Sequence, residues 1–174
     1  MLLTLIAIAV VLIAAVLIFA ATRPGTLHIQ RSIVIGASPQ KLFPLLDDFH
    51  NWTRWAPQDL GDSTMTRTYS GAARGAGAAS EWDSRGSAGK GRMEITESAE
   101  FTKVSVKVHF IRSFEAHNLN TFVLEPAGTT TRITWTMEGA NPYISKVLSI
   151  FVNMDRMMGK HFETGLENLK AIAR

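Results

Sequence analysis

The chain has 174 residues, a formal net charge of +3 and no cysteine. Its length suits one domain with an anchor. The absence of cysteine excludes disulfides, thiolate metal sites, a cysteine nucleophile and an acylated lipoprotein anchor. The mild charge falls far short of a nucleic-acid footprint, so no nucleic-acid partner is expected.

Met1 to Ala21 is an uninterrupted apolar run with Thr4 as its only polar residue, and no charged residue precedes Arg23. At 1.5 Å per residue it extends about 30 Å, enough to cross a hydrocarbon core. A cleaved signal peptide is the rival reading. The run exceeds the usual signal core, lacks an early Lys or Arg, and would put Phe19 where a cleavage site wants a small residue. A retained single-pass anchor over residues 1–21 is therefore expected, with a short linker over 22–26 and one domain over 27–174. Arg23 and Arg31 follow the helix, which by the positive-inside rule places that domain on the cytoplasmic side of the cell membrane.

Leu27, Ile29, Ile33 and Ile35 alternate on one face of a predicted strand, with Arg31 the odd member of that inner face. Ser38-Pro39 opens a short helix carrying Leu42, Phe43, Leu45 and Leu46. A second turn follows through Asp47–Trp55 and ends at Pro57. Strands are then predicted at 65–69, 77–83, 89–97, 103–110, 119–125 and 131–138. Val104, Val106, Val108 and Phe110 point inward, as do Ile133, Trp135 and Met137. From Tyr143 to Ala173 the spacing turns helical. Ile144, Val147, Phe151, Met154, Met158, Phe162, Leu166, Leu169 and Ile172 form one stripe, which predicts a single long helix. The expected fold class is α+β, a curved antiparallel sheet wrapped on a long C-terminal helix, with a cavity between them.

That order, together with particular residues, resembles a known family. Arg31-Ser32-Ile33-Val34-Ile35 precedes Ser38-Pro39 and Phe43. Asp48-Phe49, Trp52 and Trp55-Ala56-Pro57 come next, then Tyr69-Ser70-Gly71, Gly75, Gly77-Ala78 and Trp82. Thr134-Trp135-Thr136-Met137, Asn153-Met154-Asp155 and the stretch from Phe162 to Lys170 complete the set. From Leu27 to Arg174 the chain resembles the polyketide cyclase/dehydrase-like branch of the SRPBCC (START/Bet v 1-like) superfamily. The resemblance implies a helix-grip fold with a deep apolar cavity for lipids, sterols or polyketides. It implies no enzyme by itself, because fold does not settle function.

The strongest functional signal is an inward set of soft and aromatic residues: Tyr69, Trp82, Met93, Phe110, Phe122, Trp135, Met137, Phe151, Met154 and Met158. Such side chains suit a pocket for variable apolar ligands, and equally suit core packing. Trp52 and Trp55 have three open roles: a pocket lid, a contact with the bilayer interface, or staples for their turn. The glycines between Gly71 and Gly91 match neither a phosphate loop nor a dinucleotide fingerprint and read as turns between strands. His28, His50, His109, His117 and His161 show no metal-ligand spacing, so no metal and no cofactor is expected. Asp155 is expected to pair with a nearby Arg or Lys. No catalytic residue stands out.

These residues favour a membrane-tethered binder or carrier of a hydrophobic small molecule. The alternatives are a cyclase/dehydrase-like enzyme, which needs convergent polar residues in the pocket, and a protein-interaction or co-chaperone-like module. That module would show a filled cavity and an apolar patch outside.

Overall fold

The structure, a computed structural model, describes residues 1–86, 88–112 and 115–173. Helix α1 spans Leu2–Ala21. Strand β1 (Thr26–Ile35) leads into three helices, α2 (Pro39–Asp47), α3 (Phe49–Trp52) and α4 (Pro57–Leu60). Strands β2 (Thr66–Gly71), β3 (Ala78–Asp83), β4 (Lys90–Ala99), β5 (Lys103–Phe110), β6 (Ala116–Ala127) and β7 (Thr130–Ala140) follow. Helices α5 (Tyr143–Phe151) and α6 (Met154–Ile172) close the chain.

The seven strands form one sheet in the order β1-β7-β6-β5-β4-β3-β2, every neighbour antiparallel. This is the helix-grip arrangement. Strands β2 to β7 run as a meander, and α2–α4 carry the chain from one sheet edge to the other. Each strand expected from alternation is present. The β6–β7 reversal is tighter than the sequence implied: Pro126 and Ala127 still pair with β7, and Gly128 turns the chain at φ +63°. A register shift between Ile95 and Glu97 adds a local bend to β4.

The C-terminal segment departs from expectation. The predicted single helix breaks after Phe151, and Val152 and Asn153 adopt extended backbone. The cause is a new cap. The Asn153 side chain accepts a 2.8 Å bond from the Arg156 amide, and Asp155 follows in the first turn, where an acid favours a helix start. One apolar stripe thereby becomes two. Phe162, Leu166 and Leu169 on α6 are buried, whereas Ile144, Leu148 and Phe151 on α5 are exposed.

Two close approaches fix α6 on the sheet. Arg31 of β1 donates from Nε to Glu163 Oε1 at 2.8 Å and from Nη1 and Nη2 to the Asp155 carboxylate at 3.1 and 3.0 Å. This is the pairing expected for Asp155, and the Arg31 bond holds its carboxyl below the usual aspartate range. The guanidinium lies over Gly159, where a Cβ would stand 1.9 Å from Nη2. Further along, Gly165 lets α6 approach Trp135, whose ring would be 3.0 Å from a Cβ there.

A third glycine seats a ring within the sheet. Trp82 covers Gly91, its partner across β3–β4, and a Cβ at Gly91 would meet the indole at 2.3 Å and the His109 carbonyl at 2.5 Å. Gly91→Ala is therefore expected to cost about 1–3 kcal/mol, as overpacking does. Gly36→Ala, with nothing within 4 Å of the new methyl, should be near neutral. Equal urea midpoints for the two variants would contradict this reading.

Candidate functional site

The inner face of the sheet is set by register. Arg31 lies opposite Trp135, Trp135 opposite Phe122, and Phe122 opposite Val104. The next row toward the start of β1 runs Ile29, Met137, Asn120, Val106 and Ile95. Beyond it come Val108, Met93, Ser80 and Tyr69, and then Phe110, Gly91 and Trp82.

Of the ten residues expected to line a cavity, Trp82, Met93, Phe122, Trp135 and Met137 are buried on this face. Tyr69, Phe110 and Met158 are half-buried against the same core. Met154 is half-buried at the start of α6. Phe151 is elsewhere: it is 72% exposed on α5, because the helix break turns its face away from the sheet.

The space between sheet and helix holds packed rings. Trp135 and Phe162 stack at 4.0 Å with planes 3° apart. Phe122 lies 4.9 Å from Trp135, and Trp55 lies edge-on to it at 5.9 Å. Trp52 packs on Trp55 at 5.0 Å and on Phe122 at 5.7 Å. Their indole nitrogens donate to the Leu46 and Leu45 carbonyls at 3.0 and 2.9 Å. Trp52 and Trp55 are thus buried plug residues carried by the α3–α4 segment, not a bilayer contact. Asn168 of α6 secures the plug by donating to the Trp55 carbonyl at 3.0 Å.

Several polar groups inside this region pair with one another, as burial demands. Trp135 Nε1 donates to Asn120 Oδ1 at 2.9 Å. Arg67 forms a fork with Asp59 at 2.5 and 2.7 Å and donates to Ser80 Oγ at 3.0 Å. Both side chains of this pair are under 10% exposed, at 7% and 6%. The pair ties α4 to the inner face of β2 and β3. His161 of α6 contacts Gln58 of α4 through Nε2 at 3.1 Å, and burial pushes its imidazole below the ordinary histidine range. The sequence alone singled out neither Arg67 nor Asn120, and took His161 only as one of five histidines without metal-ligand spacing. The first two were accessible to it, since Arg67 is two residues before Tyr69 and Asn120 two before Phe122 on inward faces.

Among the described residues, hollows open outside the core. One, about 670 Å³, is polar and is lined by Arg31, Asn153, Asp155, Arg156, Lys160 and Glu163. Another, about 500 Å³, lies on the outer face of the sheet beside His109 and His117. Those two histidines face each other across β5–β6, with rings stacked at 4.0 Å. Their Nε2 atoms lie 3.5 and 3.7 Å from Glu115 Oε1. His109 Nε2 is buried with no hydrogen-bond partner among the described residues. The three donor atoms lie within 4.8 Å of one another. This donor set suits zinc or a similar ion. Ligands of one zinc stand slightly closer, about 3.3 Å apart for bonds near 2.0 Å. The expectation of scattered histidines fails here because strand register, not sequence spacing, brings them together.

Residues 26–174 match the family described as polyketide cyclase/dehydrase and lipid transport. The chain belongs to that family. Among solved structures, it is similar to protein CV1439 from Chromobacterium violaceum, with TM-score 0.60 and 17% identity over 87% of this chain and 98% of that one. It is also similar to TTHA0849 from Thermus thermophilus, with TM-score 0.61 and 17% identity over 84% and 97%. Ara h 8.0201 aligns with TM-score 0.59 and 12% identity over 86% and 98%. Identities this low speak for the shared fold alone. No curated protein matches the chain.

The Arg67–Asp59 pair gives a direct test of how the plug is held. Arg67→Met leaves a buried carboxylate unpaired and is expected to cost about 3–5 kcal/mol. The double variant Arg67→Met/Asp59→Leu should recover much of that loss in urea denaturation. A single variant as stable as the parent would remove the pair from this role.

Proposed function

We propose that this chain is a membrane-tethered binding or carrier protein for a hydrophobic small molecule, lipid or polyketide-like. The ligand is held between the inner face of the sheet and α6. The observation that carries this reading is the inner face itself, in a family described for lipid transport. It is apolar and rich in Met and aromatic groups, and Asn120 and Arg67 on it are paired with Trp135 and Asp59. The proposed lining is Tyr69, Trp82, Met93, Phe110, Phe122, Trp135, Met137 and Met158, with Met154 at the rim. Helix α1 is long and apolar enough to cross a membrane, and we take it as the tether of a cytoplasmic domain.

Entry requires motion, because Trp52 and Trp55 fill the centre of the proposed site. The segment that carries them is the piece best suited to move. Helices α3 and α4 have four residues each, too few to be stable without tertiary contacts. Withdrawing the two tryptophans would open space between the sheet and α6, and neither residue belongs to a strand of the sheet.

Two alternatives differ in what they need. A cyclase or dehydrase needs polar groups aimed at a substrate, whereas Arg67, Asp59, Ser80, Asn120 and Trp135 direct hydrogen bonds at one another. A protein-interaction module needs a filled interior and an external apolar face. The packed tryptophans and exposed α5 favour that second reading.

Native mass spectrometry of the full chain released from lipid nanodiscs, followed by lipid extraction, separates these. The binder reading expects a stoichiometric hydrophobic passenger, lost in Met158→Arg while circular dichroism stays unchanged. A clean apo mass with no uptake of a lipophilic probe would contradict it and favour the interaction module.

A further inference from the structure

Helix α5 carries an apolar face that the domain leaves uncovered. Ile144, Leu148 and Phe151 are 65%, 54% and 72% exposed and recur at helical spacing on one side. Leaving three large side chains in water is costly at about 25 cal/mol per Å². The neighbour of this helix indicates what covers them.

Helix α5 packs against α1, and the Tyr143 hydroxyl donates to the Leu17 carbonyl at 2.7 Å. Helix α1 has 20 residues, a rise of about 30 Å, which is the whole thickness of a hydrocarbon core. None of its length is spare. Leu17 lies four positions before the helix ends at Ala21, hence about 6 Å inside the core boundary. The hydroxyl bonded to it therefore lies just below that boundary, with the tyrosine ring within reach of the interfacial belt where tyrosine is favoured. Cations stand nearby: Arg23 follows the end of α1 with its guanidinium 5.1 Å over the Phe19 ring, and α5 carries Lys146.

We propose that α5 is an interfacial helix, with Ile144, Leu148 and Phe151 inserted among the acyl chains, so that the bilayer covers this face. The domain is then seated by two elements, α1 across the membrane and α5 along its surface. The seat has a consequence for the proposed carrier. Only Val152 and Asn153 separate α5 from α6, so the N-terminal end of α6, with Met154 and Met158, is held beside lipid. This inference rests on the tether reading above.

The absence of cysteine permits single labels on the full chain. Leu148→Cys and Phe151→Cys probe α5, Ile8→Cys probes the middle of α1, and Thr129→Cys probes the exposed β6–β7 turn. Each variant is labelled with an environment-sensitive NBD group and reconstituted in phosphatidylcholine/phosphatidylglycerol vesicles. Labels at 148 and 151 are expected to emit blue-shifted and to be quenched several-fold more by doxyl-labelled lipid than the label at 129. Iodide should show the opposite order. A lipid-shielded label at 8 with iodide-accessible labels at 148 and 151 would overturn the interfacial helix and leave the tether standing. Labels at 148 and 151 protected from both quenchers would overturn it in favour of a protein cover, such as a second copy of the chain. An iodide-accessible label at 8 would overturn the tether and the seat together.

Discussion

Everything inside this domain depends on how closely α6 approaches the sheet. Trp135 and Phe162 stack at 4.0 Å only because the helix carries glycine where a larger residue would hold it off. At Gly165 a side chain would press on Trp135 and Pro57, and at Gly159 it would displace the Arg31 guanidinium. The approach combines apolar and ionic contacts. Ring stacking removes apolar area from water, while Arg31 reaches past the helix backbone to Asp155 and Glu163 and sets its position along β1.

From that contact the rest of the interior follows. With α6 close, the remaining volume is filled by a segment from the other side, α3–α4, whose tryptophans complete the aromatic layer. The segment is fastened at three polar points, one to the sheet and two to α6. Asp59 reaches Arg67 on the sheet, Gln58 meets His161 on α6, and the Trp55 carbonyl accepts from Asn168. The polar atoms are therefore structural in this closed state, and the same fastenings would have to yield for the interior to open. The pocket of the proposed function would be created by moving this plug rather than enclosed permanently by the curve of the sheet.

The strands were legible because alternation is a direct consequence of a half-buried sheet, and even the anomaly at Arg31 reported a real partner on α6. The interruption at Asn153 was harder to see. Apolar residues continued at three- and four-residue steps across it, and only the capping chemistry of Asn153 distinguished two helices from one. The error carried forward to Phe151, which shares the periodicity of the buried stripe but not its helix. Trp52 and Trp55 could be placed only by tertiary packing, since a buried and an exposed tryptophan look alike in a short segment. The facing pair His109 and His117 is a product of hairpin register. The proposed ligand-binding role rests on the family and on the chemistry of the inner face, and has no single residue as its signature.

The most direct test of this account holds the plug shut. Gln58→Cys and His161→Cys, in a chain with no other cysteine, place two thiols across the α4–α6 contact for a short reducible bis-methanethiosulfonate link. The account predicts that the linked protein takes up no lipophilic fluorophore, that the unlinked double variant does, and that reduction restores uptake to the linked sample. Equal uptake before and after linking would contradict it, because a ligand would then enter without moving α3–α4.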